Sequence, residues 1–344
     1  MAESFFRLSE RDQSDLLEIG AQNGRPAHLR EKDVWVVWSL AVLFDAPVGA
    51  ALTFKGGTSL SKAYGVIDRF SEDVDLTYDI RKIVGDLIHG GAPLPQTRSQ
   101  AKRWADAVRE RLPVWLEESV LPVFDLAIQH DGVRVTAELG GPERDKILLH
   151  YAPTRRGTGY VAPTVQLEFG ARATGEPNEL RPVTCDLAAL FGDVTFPSAT
   201  PTVMRVERTF WEKATACHVY CAQHKLRGER FSRHWYDLAA LRATEHFTHA
   251  MSARGVAEDV ATHKTHFFSE KDARGDVIDY HGAVGGALRL VPEGQAYDAL
   301  VADYARMTED GILIGTPVPF ARVVEACREI EREANKPPTQ AIAR

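Results

Sequence analysis

The sequence predicts an α+β protein in which a mixed α/β region precedes a helical region. Two observations predict this class: short β-prone stretches alternate with helical periodicity up to about Pro197, and helical periodicity continues after Pro201. A chain of 344 residues is long enough to bury two cores. We therefore expect an α/β domain at 1–200, a mainly helical domain at 201–335 and a flexible tail at 336–344.

The predicted helices are recognised from apolar periodicity and from the residues that begin or end them. Ser9 is the expected N-cap of the first helix, and Pro113 is expected to end or kink the helix before it. The helices are expected at 9–23, 31–44, 59–64, 98–112, 205–223, from near Ser232, at 295–307 and at 320–334. Residues 245–290 carry mixed signals and receive no assignment.

The predicted strands are runs of β-branched and apolar residues bounded by turn residues. They are expected at 51–54, 73–78, 133–139, 147–151 and 164–169. All of them lie in the first 200 residues, so the sheet belongs to the α/β domain.

Composition narrows the class of protein. The formal net charge is −7 at pH 7, which argues against a protein that coats nucleic acid nonspecifically but is compatible with a local basic groove. No apolar run approaches the roughly 20 residues of a membrane span, and the N-terminal residues do not resemble a signal peptide. Four cysteines in so long a chain do not form a disulfide framework. We expect a cytoplasmic protein with no membrane partner.

Two aspartates on the strand at 73–78 are the first candidate site. Asp73 and Asp75 alternate with Val74 and Leu76, so both carboxylates point to one face of the sheet. Strands disfavour aspartate, and two like charges on one face repel unless something neutralises them. A divalent cation would do so, and Mg²⁺ prefers carboxylates together with substrate phosphates. The alternative is a half-exposed edge strand with solvated acids.

A glycine-rich stretch precedes these aspartates. Gly56-Gly57 predicts a turn whose backbone N–H groups can approach phosphates, and Thr58 and Ser59 add hydroxyl groups. The stretch is not a Walker motif, which disfavours a P-loop NTPase. We also expect Lys62, Arg69 and Ser71 to contribute to nucleotide binding. Arg69 and Ser71 can equally be ordinary loop and turn residues.

Glu168 is a candidate third carboxylate. It lies between two hydrophobic residues on the strand at 164–169, although Gln166 on the same face is equally polar. Together with the aspartate pair it would complete a site for two metal ions, and it could accept a proton as a general base. A surface acid on an alternating strand is the alternative.

Cys217, His218, Cys221 and His224 suggest a zinc site at first sight. Their spacing matches no paired C-x-x-C site, and Cys217 and Cys221 are four residues apart on an apolar helix face. We interpret both cysteines as buried structural thiols. The basic run HKLRGERFSRH at 224–234 is a solvated loop or a surface that reaches a polyanion.

Several stretches together resemble a known family. FKGGTSLSKAYGVIDRFSEDVDL, VQLEFGAR, RTFWEKATACH and RHWYDLAAL are similar to segments of the AbiEii/AbiGii toxin family of nucleotidyltransferases, to which the MenT-type toxins are related. The resemblance extends from about Glu31 to the C-terminal helices. It implies a DNA polymerase β-like nucleotidyltransferase core with a mixed sheet, followed by a helical domain.

The resemblance also implies residue roles. The phosphates would be held by the first motif, that is by Gly56, Gly57, Thr58 and Ser59. The catalytic metal, Mg²⁺ or Mn²⁺, would be held by Asp73 and Asp75, and Glu168 lies where the wider superfamily keeps its third carboxylate. Lys213 would neutralise phosphate and Asp237 would be needed for activity, although a helix-edge lysine and a first-turn acid are ordinary features.

The sequence therefore predicts a metal-dependent enzyme that transfers a nucleoside monophosphate from an NTP to an acceptor and releases pyrophosphate. The resemblance implies tRNA or another RNA as acceptor, and a role as the toxin of a toxin–antitoxin or abortive-infection pair with a separately encoded antitoxin. Three alternatives remain open: transfer to a small molecule or protein, a nucleotide-binding sensor without turnover, and a structural protein with solvated acids.

Overall fold

The computed structural model describes most of the chain. The described residues are 2–22, 24–88, 94–154, 161–224 and 230–337. Most of the predicted tail at 336–344 and the centre of the basic run at 224–234 lie outside these residues.

The chain forms two compact units. The first comprises Met1–Arg205 and the short segment Asp310–Gly315, and the second comprises Val206–Glu309 and Thr316–Arg344. Asp310–Gly315 belongs to the first unit because it pairs with the loop before the aspartates: Phe70 N–H donates to Ile312 O at 2.8 Å, and Ile314 N–H donates to Asp68 O at 2.9 Å.

Helices of the first unit surround a sheet. Among the described residues they are α1 (Glu10–Ala21), α2 (Ala27–Asp45), α3 (Gly56–Lys62), α4 (Ile80–Ile83), α5 (Arg98–Trp115) and α6 (Leu121–Asp131). Ser9 caps α1 as predicted, since its hydroxyl accepts the Asp12 N–H at 3.1 Å.

Strands of the first unit are mostly short. They are β1 (Glu3–Ser4), β2 (Leu52–Lys55), β3 (Asp73–Tyr78), β4 (Val135–Gly140), β5 (Lys146–Tyr151), β6 (Thr164–Gly170), β7 (Asn178–Leu180), β8 (Val183–Thr184), β9 (Val194–Thr195), β10 (Ser198–Ala199) and β11 (Thr202–Met204). Seven of them form one sheet in the order β4-β5-β6-β3-β2-β11-β7. The sheet is mixed, because β3 runs parallel to β6 and β2 parallel to β11 whereas the other pairs are antiparallel.

One face of this sheet forms the hydrophobic core of the first unit. Val74, Leu76, Val165 and Leu167 are fully buried on it. Helix α2 contributes Trp35, which stacks on Tyr151 of β5 with ring centroids 5.4 Å apart. Because side chains alternate along a strand, the acidic residues of β3 and β6 lie on the opposite face.

Two predictions in this unit are wrong in detail. Gly56 and Gly57 are not an isolated turn before a helix at 59–64, since α3 itself begins at Gly56. Pro113 does not end its helix: α5 continues to Trp115, and a π-helical turn at Leu116–Val120 joins it to α6.

The second unit is helical. Its described helices are α7 (Val206–Gln223), α8 (Ser232–Arg242), α9 (Glu245–Ser252), α10 (Arg254–Phe267), α11 (Tyr280–Gly282), α12 (Gly294–Glu309) and α13 (Phe320–Ala334). The predicted class is confirmed: an α+β fold with a mixed sheet and a helical second part. Residues 245–290, which the sequence left unassigned, contain α9, α10 and α11. Among the described residues, the helices are too short or too polar to span a lipid bilayer.

Candidate active site

The parallel pairing of β3 and β6 brings the predicted carboxylates together. Asp75 lies opposite Glu168, and Asp73 lies opposite Gln166. All four side chains are half-buried and share the face of the sheet that does not form the hydrophobic core. Two strands that are about ninety residues apart in sequence therefore present three carboxylates side by side.

Lysines flank this set in the same row. Lys55 of β2 lies opposite Asp75, and Lys146 of β5 lies opposite Glu168. The row across four neighbouring strands is thus Lys55, Asp75, Glu168, Lys146. We call these four residues, with Asp73 and Gln166, the carboxylate face.

Hydrogen bonds on the carboxylate face converge on one oxygen. Lys146 Nζ donates to Glu168 Oε1 at 2.6 Å, and Gln166 Nε2 donates to the same atom at 2.6 Å. Gln166 Nε2 also lies 3.4 Å from Asp73 Oδ1. Among the described residues no hydrogen bond reaches Glu168 Oε2, so this oxygen can accept another donor or a cation.

Charge and exposure on the carboxylate face favour a bound cation. Two lysines face three carboxylates there, which leaves one net negative charge. The side chains of Lys146 and Glu168 are 24% and 37% exposed, so a solute can reach them. Carboxylate oxygens are the ligands that Mg²⁺ and Mn²⁺ prefer. The donor types of Asp73, Asp75 and Glu168 fit a hard divalent cation, and their oxygen atoms would have to move closer together to share one ion.

The glycine motif lies directly against this face. Gly56 has φ +81°, a backbone conformation that L side chains rarely adopt. A Cβ atom there would collide with Asp75 Oδ2 and would lie 2.8 Å from Asp75 Cγ. Only glycine therefore lets helix α3 begin next to Asp75. Farther along the helix, the Thr58 hydroxyl donates to the carbonyl oxygen of Asp73 and the Ser59 hydroxyl to that of Gly56.

Gly57 brings two further predicted residues to the same helix. A Cβ atom at Gly57 would collide with Arg69 Nη2 and would lie 3.0 Å from Ser71 Oγ. Arg69 is 3% exposed and donates from Nη1 to Phe70 O at 3.2 Å. The structure thus gathers Gly56, Gly57, Arg69 and Ser71 around the start of α3, with Asp75 beside them.

Lys62 is engaged differently from the prediction. Its Nζ lies 2.6 Å from Asp33 Oδ1 and 2.7 Å from Asp186 Oδ1. Arg25 and Arg30 also face Asp186, and the five residues line a cavity of about 290 Å³ together with the predicted Thr58, Arg69 and Ser71. We call Arg25, Arg30, Asp33, Lys62 and Asp186 the Lys62 cluster. The two carboxylates face two of the three N–H donors of Lys62, so it anchors α3, and its part in nucleotide binding stays a prediction.

Burial and charge oppose each other in the Lys62 cluster. Burial alone would lower the pKa of Lys62, but the two neighbouring carboxylates outweigh it and raise that pKa. Burial raises the pKa of Asp33. Burial also acts to raise the pKa of Asp186, but Lys62 and Arg25 hold it below its usual range. These ion pairs fix α3 to the start of α2.

In the second unit, the two predicted site residues form an ion pair. Lys213 Nζ on α7 lies 2.9 Å from Asp237 Oδ2 on α8, and Asp237 is fully buried. Asp237 is not accessible to solvent, and its carboxylate orients the ammonium group of Lys213. The sequence predicted both residues but gave no sign that they pair.

The cysteines of α7 are buried. Cys217 is fully inaccessible, and burial raises the pKa of the Cys221 thiol to about 12. His218 Nδ1 accepts the backbone N–H of Arg289 at 3.0 Å, and burial together with Arg289 lowers the pKa of His218 to about 4. These contacts agree with the interpretation of Cys217 and Cys221 as structural thiols.

The comparison with known families decides the class of protein. The family described as "Nucleotidyl transferase AbiEii toxin, Type IV TA system" matches residues 38–326, which is most of the chain. The chain belongs to this family. The resemblance inferred from the sequence motifs is confirmed, and membership makes the protein an AbiEii-type nucleotidyltransferase toxin of a type IV toxin–antitoxin system. The metal, the acceptor and the roles of individual residues are not part of that match.

Solved structures offer only distant likeness. MenT4, a nucleotidyltransferase toxin from Mycobacterium tuberculosis H37Rv, is 17% identical with a TM-score of 0.42, over 95% of this chain and 98% of that chain. JHP933 from Helicobacter pylori is 14% identical with a TM-score of 0.38, over 89% of this chain and 90% of that chain. A search of curated proteins found none that matches the chain.

Three members of the carboxylate face were not predicted from the sequence. Lys55 and Lys146 received no role there, and Gln166 was only a source of ambiguity about Glu168. Lys55 directly precedes the glycine motif and Lys146 directly precedes a predicted strand, so both could have been noted as flanking cations. Their alignment with the acids depends on strand register, which sequence spacing does not give.

Proposed function

We propose that this AbiEii-family protein transfers a nucleoside monophosphate from an NTP to an acceptor hydroxyl, with release of pyrophosphate. The observation that carries the proposal is the register of β3 against β6, which aligns Asp75 with Glu168 beside Asp73. Asp73, Asp75 and Glu168 would hold Mg²⁺ or Mn²⁺, which would supply charge neutralisation for the phosphates and the attacking oxygen.

In the proposed reaction the acceptor oxygen attacks the α-phosphorus in line with the bond to the β-phosphate. That bond breaks, pyrophosphate leaves, and the acceptor hydroxyl loses its proton. Glu168 is our candidate for the proton acceptor. Lys146 and Gln166 both donate to Oε1, which leaves Oε2 for this purpose.

The phosphates would be bound at the start of α3. Gly56 and Gly57 lack a Cβ atom, which lets Asp75 and Arg69 respectively lie directly against the start of this helix. Arg69 and Ser71 lie against Gly57 and would add a charged and a neutral donor. The hydroxyl groups of Thr58 and Ser59 already donate to backbone carbonyl oxygens. We therefore propose that they stabilise the backbone at the start of α3.

Lys213 is proposed to neutralise phosphate, and Asp237 to hold Lys213 in place. This assignment rests on the resemblance of the helix α7 segment to the family. The buried ion pair between the two side chains supports the positioning part of it.

We further propose that the acceptor is tRNA, that a separately encoded antitoxin counteracts the protein, and that it acts in the cytoplasm. The acceptor assignment comes from the family resemblance alone. Transfer to a small molecule or a protein uses the same carboxylates, and a sensor would bind nucleotide without turnover.

One experiment separates these possibilities. The protein is incubated with Mg²⁺, total RNA and each of the four NTPs labelled at the α-phosphate, and the products are resolved by size. Label in the tRNA fraction is the expected result, and prior digestion with ribonuclease should abolish it. Label on protein or on a small molecule would replace tRNA as the acceptor. Bound nucleotide with no labelled product would contradict the enzyme and favour the sensor.

A further inference from the structure

A second group of metal-binding side chains lies in the helical unit. Glu207, His246 and His249 each offer a ligand atom, and these atoms all lie within 4.8 Å of one another. Among the described part of the chain, this is the one group of three or more such residues whose ligand atoms lie so close together; those of Asp73, Asp75 and Glu168 are spread more widely. The proposed function does not use any of the three residues.

The packing of two helices fixes this geometry. Glu207 is in the first turn of α7 and is 5% exposed. His246 and His249 are three residues apart on α9, which places both rings on one side of that helix. Their ring centroids are 6.3 Å apart.

Contacts on the neighbouring side of α9 anchor it to α7. Phe247 packs edge-on against Phe210 with ring centroids 5.8 Å apart. Trp211 Nε1 donates to the carbonyl oxygen of Ala250 at 2.9 Å. The residues next to both histidines are therefore held against α7. These contacts keep the backbone of Glu207, in the first turn of α7, close to α9.

The donor set selects a class of metal. Two imidazole nitrogens and one carboxylate oxygen suit Zn²⁺ and similar transition-metal ions, whereas Mg²⁺ prefers oxygen donors alone. In a tetrahedral zinc site, bonds of about 2.0–2.1 Å place neighbouring ligand atoms about 3.3 Å apart. Atoms already within 4.8 Å reach this spacing by side-chain rotation, without moving the helices.

We propose that Glu207, His246 and His249 bind one Zn²⁺ ion per chain, at a site in the second unit whose donor chemistry differs from that of the carboxylate face. The three protein ligands leave one tetrahedral position for water. The ion would tie the first turn of α7 to α9. Helix α7 carries Lys213 farther along, so the ion would also stiffen the helix that presents this lysine.

The test uses the full chain without a polyhistidine tag, stripped with a chelator and then titrated with Zn²⁺ in an excess of Mg²⁺. We expect one Zn²⁺ per chain and a rise in Tm of roughly 5 °C on saturation. His249→Ala should weaken Zn²⁺ binding by at least about tenfold. His249 is exposed, so this variant keeps the fold.

Two control variants locate the ion. His130→Ala removes an exposed histidine of the first unit and should leave Zn²⁺ affinity unchanged. Asp75→Asn removes a carboxylate of the sheet and should also leave it unchanged. In unsubstituted protein, Co²⁺ should give visible absorption bands that His249→Ala abolishes. The proposal is overturned if the chain binds no Zn²⁺, if His249→Ala binds it as tightly as the unsubstituted protein, or if Asp75→Asn is the variant that loses it.

Discussion

The first unit contains two groups of lysines and carboxylates, both joined to helix α3, and they differ in openness and in charge. On the carboxylate face, three carboxylates outnumber two lysines, and Glu168 is 37% exposed. In the Lys62 cluster, three cations outnumber two carboxylates; the side chains of Lys62 and Asp33 are 9% and 3% exposed, and Asp186, at 27%, is the member that solvent reaches.

This difference indicates which group binds a ligand and which holds the fold. A cluster in which every carboxylate faces a cation, and cations are in excess, leaves no negative charge for a metal ion to neutralise. An open face with excess negative charge is incomplete without one. The same residue types thus have opposite roles because of burial and charge balance, and variants in the two groups should differ in which property they change.

The largest effect is expected at Asp75. Asp75→Asn removes a proposed metal ligand but keeps the shape of the side chain, so nucleotide transfer should fall by about 10³-fold or more. The free energy of unfolding should change by less than about 1 kcal/mol, because the loss of repulsion between carboxylates is offset by the loss of attraction to Lys55. Initial rates of α-label incorporation and urea unfolding curves measure the two quantities.

Glu110→Gln is the matched control for that variant, because Glu110 is an exposed acid on α5, a helix that packs through Trp115 against Tyr78 and Phe169 on the opposite face of the sheet. It should change neither the rate nor the stability. An Asp75→Asn protein that unfolds more easily and still transfers nucleotide would reverse the proposed distinction between the two groups.

The next effect concerns stability in the Lys62 cluster. Lys62→Met leaves two buried carboxylates facing an apolar side chain and should lower the free energy of unfolding by about 3 kcal/mol. Lys146→Met removes the half-buried partner of Glu168 and should lower the free energy of unfolding by less than about 1 kcal/mol. Urea unfolding of both variants gives the comparison directly. Equal losses would mean that burial does not separate the two groups.

A smaller effect is expected from two glycines with similar backbone conformations. Gly56 and Gly65 both have positive φ, but a Cβ atom at Gly65 would meet nothing within 4 Å. Alanine at either position should cost about 1 kcal/mol of stability from the backbone alone. Only Gly56→Ala also displaces Asp75, so it should slow transfer by at least about tenfold while Gly65→Ala does not. Comparable rates in both variants would remove Gly56 from the site.

The smallest effect is a dependence of stability on pH. Asp33 and Asp186 raise the pKa of Lys62 in the folded protein. The ion pairs of Lys62 therefore contribute fully to stability below the pKa of lysine in the unfolded chain, about 10.4. This contribution is lost as the pH rises through the folded pKa. The difference in unfolding free energy between unsubstituted protein and Lys62→Met should therefore narrow above about pH 10.4. Unfolding curves at neutral and alkaline pH test this. A difference that stays constant into strong alkali would contradict the ion pairs.

Local patterns predicted the elements that carry the site. Strand β3 occupies the predicted 73–78, because Asp73 and Asp75 alternate with residues that need burial. Long periodic helices such as α13 are also at their predicted positions. The whole of α6 was missed, and Pro113 was expected to end or kink α5, because a single proline does not show whether the helical path continues beyond it.

Contacts between distant segments could not be predicted. The alignment of Lys55, Asp75, Glu168 and Lys146 depends on the register in which four strands pair: β2 with β3, β3 with β6 and β6 with β5. Nothing in the sequence indicates that Asp310–Gly315 belongs with the first unit, or that Lys62 meets Asp33 and Asp186. His246 and His249 show the helical i, i+3 spacing, but their partner Glu207 lies on another helix.

The most direct test of nucleotide transfer follows the fate of two phosphates. The protein is incubated with Mg²⁺, total RNA and NTPs labelled either at the α-phosphate or at the γ-phosphate, in parallel with Asp75→Asn. Unsubstituted protein should place the α-label on RNA and release the γ-label as pyrophosphate, and Asp75→Asn should do neither. Transfer of the γ-label to an acceptor, or equal α-label transfer by Asp75→Asn, would contradict the account.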